Sequence, residues 1–92
     1  MTESEWISSA AGRLAGLYAC KFGGKANGRY RIAAKLVRGL AGRRRLYEDD
    51  VRALARALFE RGYVLIDLDS FFVVMSANAF TNYRRANDDI LK

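Results

Sequence analysis

The sequence contains no histidine, no proline and a single cysteine, Cys20. Without an imidazole, zinc sites of the His/Cys kind and catalytic triads or dyads that need a histidine are excluded. One cysteine cannot close an internal disulfide, so the fold needs no oxidising compartment and a cytoplasmic location is expected. No apolar run approaches the roughly 18 residues of a membrane span, and Met1-Thr-Glu-Ser-Glu5 is acidic where a signal peptide would be basic, so no membrane partner is expected. A chain of 92 residues is expected to form a single domain over 1–92, with 88–92 frayed, and to build only one modest core. That leaves little room for a deep catalytic pocket, and neither enzyme activity nor a cofactor nor a bound metal is expected.

What is present is positive charge. Sixteen Lys and Arg against ten Asp and Glu give +6, and the hydrophobic content of 51% is that of a chain that folds. The excess is concentrated. Nine cations (Lys21, Lys25, Arg29, Arg31, Lys35, Arg38, Arg43, Arg44 and Arg45) occupy residues 21–45 with no acidic residue among them, so this block is +9 and the remainder of the chain is −3. A field of that kind suits an acidic partner.

Along the chain, Trp6, Ile7, Ala10, Ala11, Leu14, Leu17 and Tyr18 recur at helical spacing, and Thr2 with Glu5 fits a capping box. Gly12 and Gly16 on this helix read as points of close packing, and Cys20 as a small buried residue, since no base is at hand to activate it. Phe22 to Gly28 is a glycine-rich basic loop that lacks the spacing of a nucleotide P-loop. Arg29 to Ile32 reads as a short strand or as the first turn of a second helix, whose stripe is Ile32, Ala33, Leu36, Val37 and Leu40 and whose C-cap is Gly42. Lys35 and Arg38 fall off that stripe. After Arg43-Arg-Arg45, the carboxylates of Glu48, Asp49 and Asp50 favour the start of a third helix, with an apolar stripe of Val51, Leu54, Ala55, Leu58 and Phe59 and an end at Gly62. Arg56 and Glu60 are spaced to pair. Tyr63–Ile66 and Phe71–Met75 then form a β-hairpin, apolar enough for both faces to be partly covered, across a turn in which Asp67 and Asp69 read as turn formers rather than metal ligands. Ser76 onward is expected to be a capped helix through Ala79, Tyr83, Ala86 and Ile90.

The order helix, short strand, helix, helix, hairpin resembles the winged-helix class of helix-turn-helix DNA-binding domains. The resemblance rests on Ile32-Ala-Ala-Lys-Leu36 and on Asp50-Val51 through Leu58-Phe-Glu-Arg-Gly62-Tyr-Val-Leu-Ile66, where a Leu-x-x-x-Gly turn feeds the first wing strand. It implies an α+β fold of three helices and a hairpin, and it implies that Arg52 and Arg56 on the third helix contact bases or phosphates in the major groove.

Charge places the main contact elsewhere. Three carboxylates open the third helix and two Asp sit at the hairpin turn, whereas the cation block lies on the loop, the second helix and the arginine link. Six phosphate contacts there would lower the binding constant about a thousandfold between 50 and 200 mM salt. Phe22, Tyr30 and Tyr47, interleaved with the cations, are more readily core residues than stacking platforms for unpaired bases. Arg84 and Arg85, with Asn82, make a second basic cluster. The expectation is therefore a small regulator of transcription, or of a plasmid or phage, that binds duplex DNA as a homodimer. An adaptor or inhibitor docking on an acidic protein partner comes second, and RNA binding third.

Overall fold

A computed structural model of the protein describes residues 3–20, 28–81, 83 and 86. In chain order the elements are α1 (Glu3–Tyr18), β1 (Tyr30–Ala33), α2 (Ala34–Ala41), α3 (Glu48–Glu60), β2 (Tyr63–Asp67), β3 (Phe71–Ser76) and a 3-10 turn, η1 (Ala77–Phe80). Helices and an antiparallel sheet surround one core, giving the expected α+β class in a layout compatible with the winged-helix arrangement.

Helix α1 buries the side of its stripe that runs through Trp6, Ile7, Ala10, Ala11 and Leu14, with Leu17 and Tyr18 packed at its edge. Its main neighbour is α3, and α2 crosses it less extensively. The close packing expected at the α1 glycines is not found: an added Cβ at Gly12 would meet only the tip of the Arg61 side chain, at 3.4 Å, and at Gly16 nothing comes within 4 Å. Thr2, expected to cap α1, lies outside the described residues.

The sheet has the order β1-β3-β2, all antiparallel. Tyr30 pairs with Val74 and Ile32 with Phe72, and β2 joins the other edge with Leu65 opposite Val74. Because side chains alternate across the sheet, these residues share the face against the helices. The other face carries Arg31, Val73, Ile66, Val64 and Met75. Met75 is buried there and the apolar residues of β2 are half-buried, so both faces are partly covered, as the apolar runs suggest. Asp67 forms the turn: its Oδ1 accepts from the Asp69 N–H at 2.9 Å, and Asp69 takes φ 74°.

Pairing of β1 changes the reading of α2. Ile32 and Ala33 belong to the strand, so α2 starts at Ala34, whose N–H donates to the Ser70 carbonyl at the hairpin turn at 2.9 Å. The buried face of α2 then runs through Val37 and Ala41, and Leu36, expected in the stripe, lies 60% exposed. The same rotation applies to α3. Its buried line is Asp50, Leu54, Leu58, spaced by four, which leaves Phe59 some 63% exposed beside the arginines of the outer face. Cys20 is also exposed, contrary to expectation, because α1 ends at Tyr18 and leaves it beyond the packed stripe; its Sγ donates to the Gly16 carbonyl.

The C-terminal helix expected from Ser76 is a single 3-10 turn among the described residues. Ser76 does cap it, accepting from the Asn78 N–H at 3.2 Å, but the Ala77 N–H still donates to Gly62, which holds the chain to the sheet at the point where a helix would begin. No helix among the described residues is long and apolar enough to cross a membrane.

Candidate nucleic-acid interface

Of the thirteen cations nominated from sequence, Lys21, Lys25, Arg84 and Arg85 lie outside the described residues, as does Phe22. The other nine fall into two groups with different electrostatic surroundings.

The first group runs from β1 to the link after α2. Arg29 precedes β1, and Arg31 lies on the outer sheet face with its guanidinium 5.7 Å from the Phe71 ring centre. Lys35 and Arg38 sit one turn apart on α2, the first exposed and the second half-buried. Gly42 ends α2 with φ 68°, a left-handed conformation that a Cβ disfavours, and the Gly42 and Arg43 N–H groups return to the Gly39 and Arg38 carbonyls. This cap turns the chain so that Arg43, Arg44 and Arg45 project from the link as exposed side chains. Among the described residues, none of these seven cations has a carboxylate within salt-bridge distance.

The second group is on α3, and its charges are already answered. Arg52 reaches Glu48 at 3.0 Å and Asp49 at 3.8 Å, and Arg56 reaches Glu60 at 3.9 Å, the pairing expected from their spacing. Over Glu48–Glu60 there are four carboxylates against two arginines, a net −2. These pairs are well exposed, so each is worth only about 0.2–1 kcal/mol and can be exchanged for another partner. The carboxylates would nevertheless stay beside any phosphate that replaced them. Asp50 is the exception: it is buried, and its Oδ2 accepts from the Tyr47 N–H at 3.0 Å, closing the first turn of α3 next to the arginine link.

Two adjoining concavities mark the link. One, of about 410 Å³, is lined by Gly42, the three arginines and Tyr47. Tyr47 is 64% exposed and therefore not the core residue its apolar ring suggested. Tyr30, by contrast, is buried and donates its hydroxyl to the Leu14 carbonyl, and burial, with smaller contributions from Cys20 and Tyr63, pushes its phenol well above the ordinary tyrosine range.

The second concavity, of about 350 Å³, lies between α1 and the end of α2, lined by Trp6, Ser9 and Arg13 from α1 and by the turn 39–43. Arg13 was missed by sequence reasoning because it lies outside the cation block. The available signal was its spacing: Trp6, Ser9 and Arg13 fall on one flank of α1, at steps of three and four. Its Nη1 donates to the Leu40 carbonyl at 3.3 Å, and the Arg43 guanidinium lies over the Trp6 ring, 4.8 Å from its centre.

Comparison with known protein families, with curated proteins and with solved structures finds no match to this chain.

Proposed function

We propose that the protein is a small DNA-binding regulator of winged-helix type, acting in the cytoplasm and contacting duplex DNA through the basic surface of β1, α2 and the Arg43–Arg45 link. The observation that carries this reading is the contrast between the two groups of cations: seven residues from Arg29 to Arg45 have no carboxylate partner among the described residues, whereas Arg52 and Arg56 do. Unpaired cations release counterions from DNA at no cost in broken ion pairs. In this reading the link and α2 supply affinity, and Arg52 and Arg56 on α3 adjust sequence preference after leaving their carboxylates. A homodimer would place two such surfaces on the two half-sites of an operator.

The exposed ring of Tyr47 beside Arg43–Arg45 favours one second reading, in which an unpaired base of RNA stacks on it. Fluorescence anisotropy on duplex DNA and on single-stranded RNA, at two salt concentrations, separates them. Tighter binding to duplex with a steep salt dependence is expected. Preference for the single strand, lost in Tyr47→Ala, would transfer the reading to RNA, and no binding to either at low salt would overturn both and leave an acidic protein as partner.

A further inference from the structure

We infer that the concavity between α1 and the end of α2 is a phosphate-group site, in which Arg13 and Arg43 grip the anion and Ser9 adds a hydroxyl. The assignment goes beyond duplex binding; only the case in which the phosphate belongs to a DNA backbone rests on that reading.

Two neighbouring groups hold the guanidiniums in place. Arg43 lies over the face of the buried Trp6 ring, and Arg13 is tied by one nitrogen to the Leu40 carbonyl. Each is oriented by a neutral group. Contact with the Trp6 ring gives Arg43 no hydrogen-bond acceptor, and the single bond to a carbonyl uses only one of the five donors of Arg13. Among the described residues neither has a carboxylate partner, so both positive charges face the concavity without compensation. Two arginines that line one concavity and keep N–H donors to spare can recognise a tetrahedral oxyanion through paired donors.

Size and surroundings narrow the ligand. A concavity of about 350 Å³ exceeds a bare phosphate and falls at the lower end of small-molecule sites, about 300–1,000 Å³. It therefore suits a phosphate ester whose organic part extends outward. It also adjoins the 410 Å³ concavity of the arginine link through Gly42 and Arg43, which both share, so the substituent can run along that link. Two sources have this chemistry: a backbone phosphate of DNA, and a small phosphorylated ligand such as a mononucleotide.

The protein supplies its own reporter, since Trp6 is the only tryptophan in the chain and lies under Arg43. The full chain is titrated with inorganic phosphate, with AMP and with a short duplex at constant ionic strength, with sodium chloride as control, while Trp6 emission is followed. Saturable changes with phosphate and AMP, and none with chloride, are expected, and Arg13→Ala should weaken AMP binding about tenfold while Arg13→Lys retains part of it. Thermal melts of both variants establish that they fold, and the lysine variant keeps the test valid if the alanine variant does not. Emission that follows ionic strength alone, or variants that bind AMP like the parent, overturns the site. A duplex that binds without moving Trp6, in a protein that responds to AMP, assigns the site to a small phosphorylated ligand. A response to AMP with no duplex binding retains the site and removes the DNA reading, and duplex binding with silence in the phosphate and AMP arms does the reverse.

Discussion

Replacing Arg43, Arg44 and Arg45 together by alanine should change the salt dependence of duplex binding by a calculable amount. Each cation that neutralises a phosphate contributes about 0.9 to the slope of log K against log salt, so the seven cations from Arg29 to Arg45 that have no carboxylate partner among the described residues predict a slope near −6 and the variant, with four, a slope near −3.6. Between 50 and 200 mM salt the parent should lose about 6,000-fold in affinity and the variant only about 150-fold. The substitution removes the contact of Arg43 with Trp6, worth about 0.5–1 kcal/mol at an exposed site, so the fold should survive, as a circular dichroism melt would verify. Anisotropy titrations at four or more salt concentrations give both slopes. A parent slope close to zero, or equal slopes for parent and variant, would refute the claim that the link supplies the phosphate contacts.

The paired arginines should behave differently. Arg52→Ala with Arg56→Ala is expected to leave stability within about 1 kcal/mol and the salt slope little changed, and to relax discrimination among duplex sequences, measured by competition binding. Asp50→Ala removes the acceptor that closes the first turn of α3 and should cost about 0.5–2 kcal/mol in urea unfolding, with Asp50→Asn losing less because an oxygen remains. Gly42→Ala meets no neighbour within 4 Å but forces a Cβ into a left-handed conformation, so it should destabilise by about 1–2 kcal/mol in the same assay. The raised phenol of Tyr30 makes the folded state hold a proton that the unfolded chain releases near its ordinary value of 10.0; stability should be constant with respect to this group below that pH and fall as pH rises above it. Tyr30→Phe should flatten that alkaline decline while costing about 1 kcal/mol at neutral pH for the lost bond to Leu14.

The stripe of α1, the end of α2 at Gly42, the hairpin and the Arg56–Glu60 pair were legible because each depends on residues within a few positions of one another. The errors share a cause. Leu36 and Ile32 fit one helical stripe equally well on spacing, and only the pairing of Ile32 with Phe72, forty residues away, assigns Ile32 to the sheet and rotates Leu36 to the surface. Phe59 was placed with Leu58 because neighbouring apolar residues widen an apparent stripe, and contact with α1 selects the narrower line through Leu54. Tyr47 has a ring that suits a core, but Asp50 holds its backbone at the mouth of α3 and leaves the side chain outside.

By itself the sequence determined the α+β class, the three helices, the hairpin and the sign of the charge block, since local periodicity and a run of cations without carboxylates are readable along one dimension, whereas β1 and the 3-10 turn after Ser76 depend on contacts with the rest of the fold. Which of those cations are free to meet a ligand is a matter of neighbours. Within α3 the neighbours come from the same helix, three and four residues away. Arg13 and Arg43 are brought to one concavity only when α1 packs beside the end of α2, where Arg43 meets the Trp6 ring and Arg13 the Leu40 carbonyl. That juxtaposition requires closing a long stretch of chain, and burial of the common core drives it.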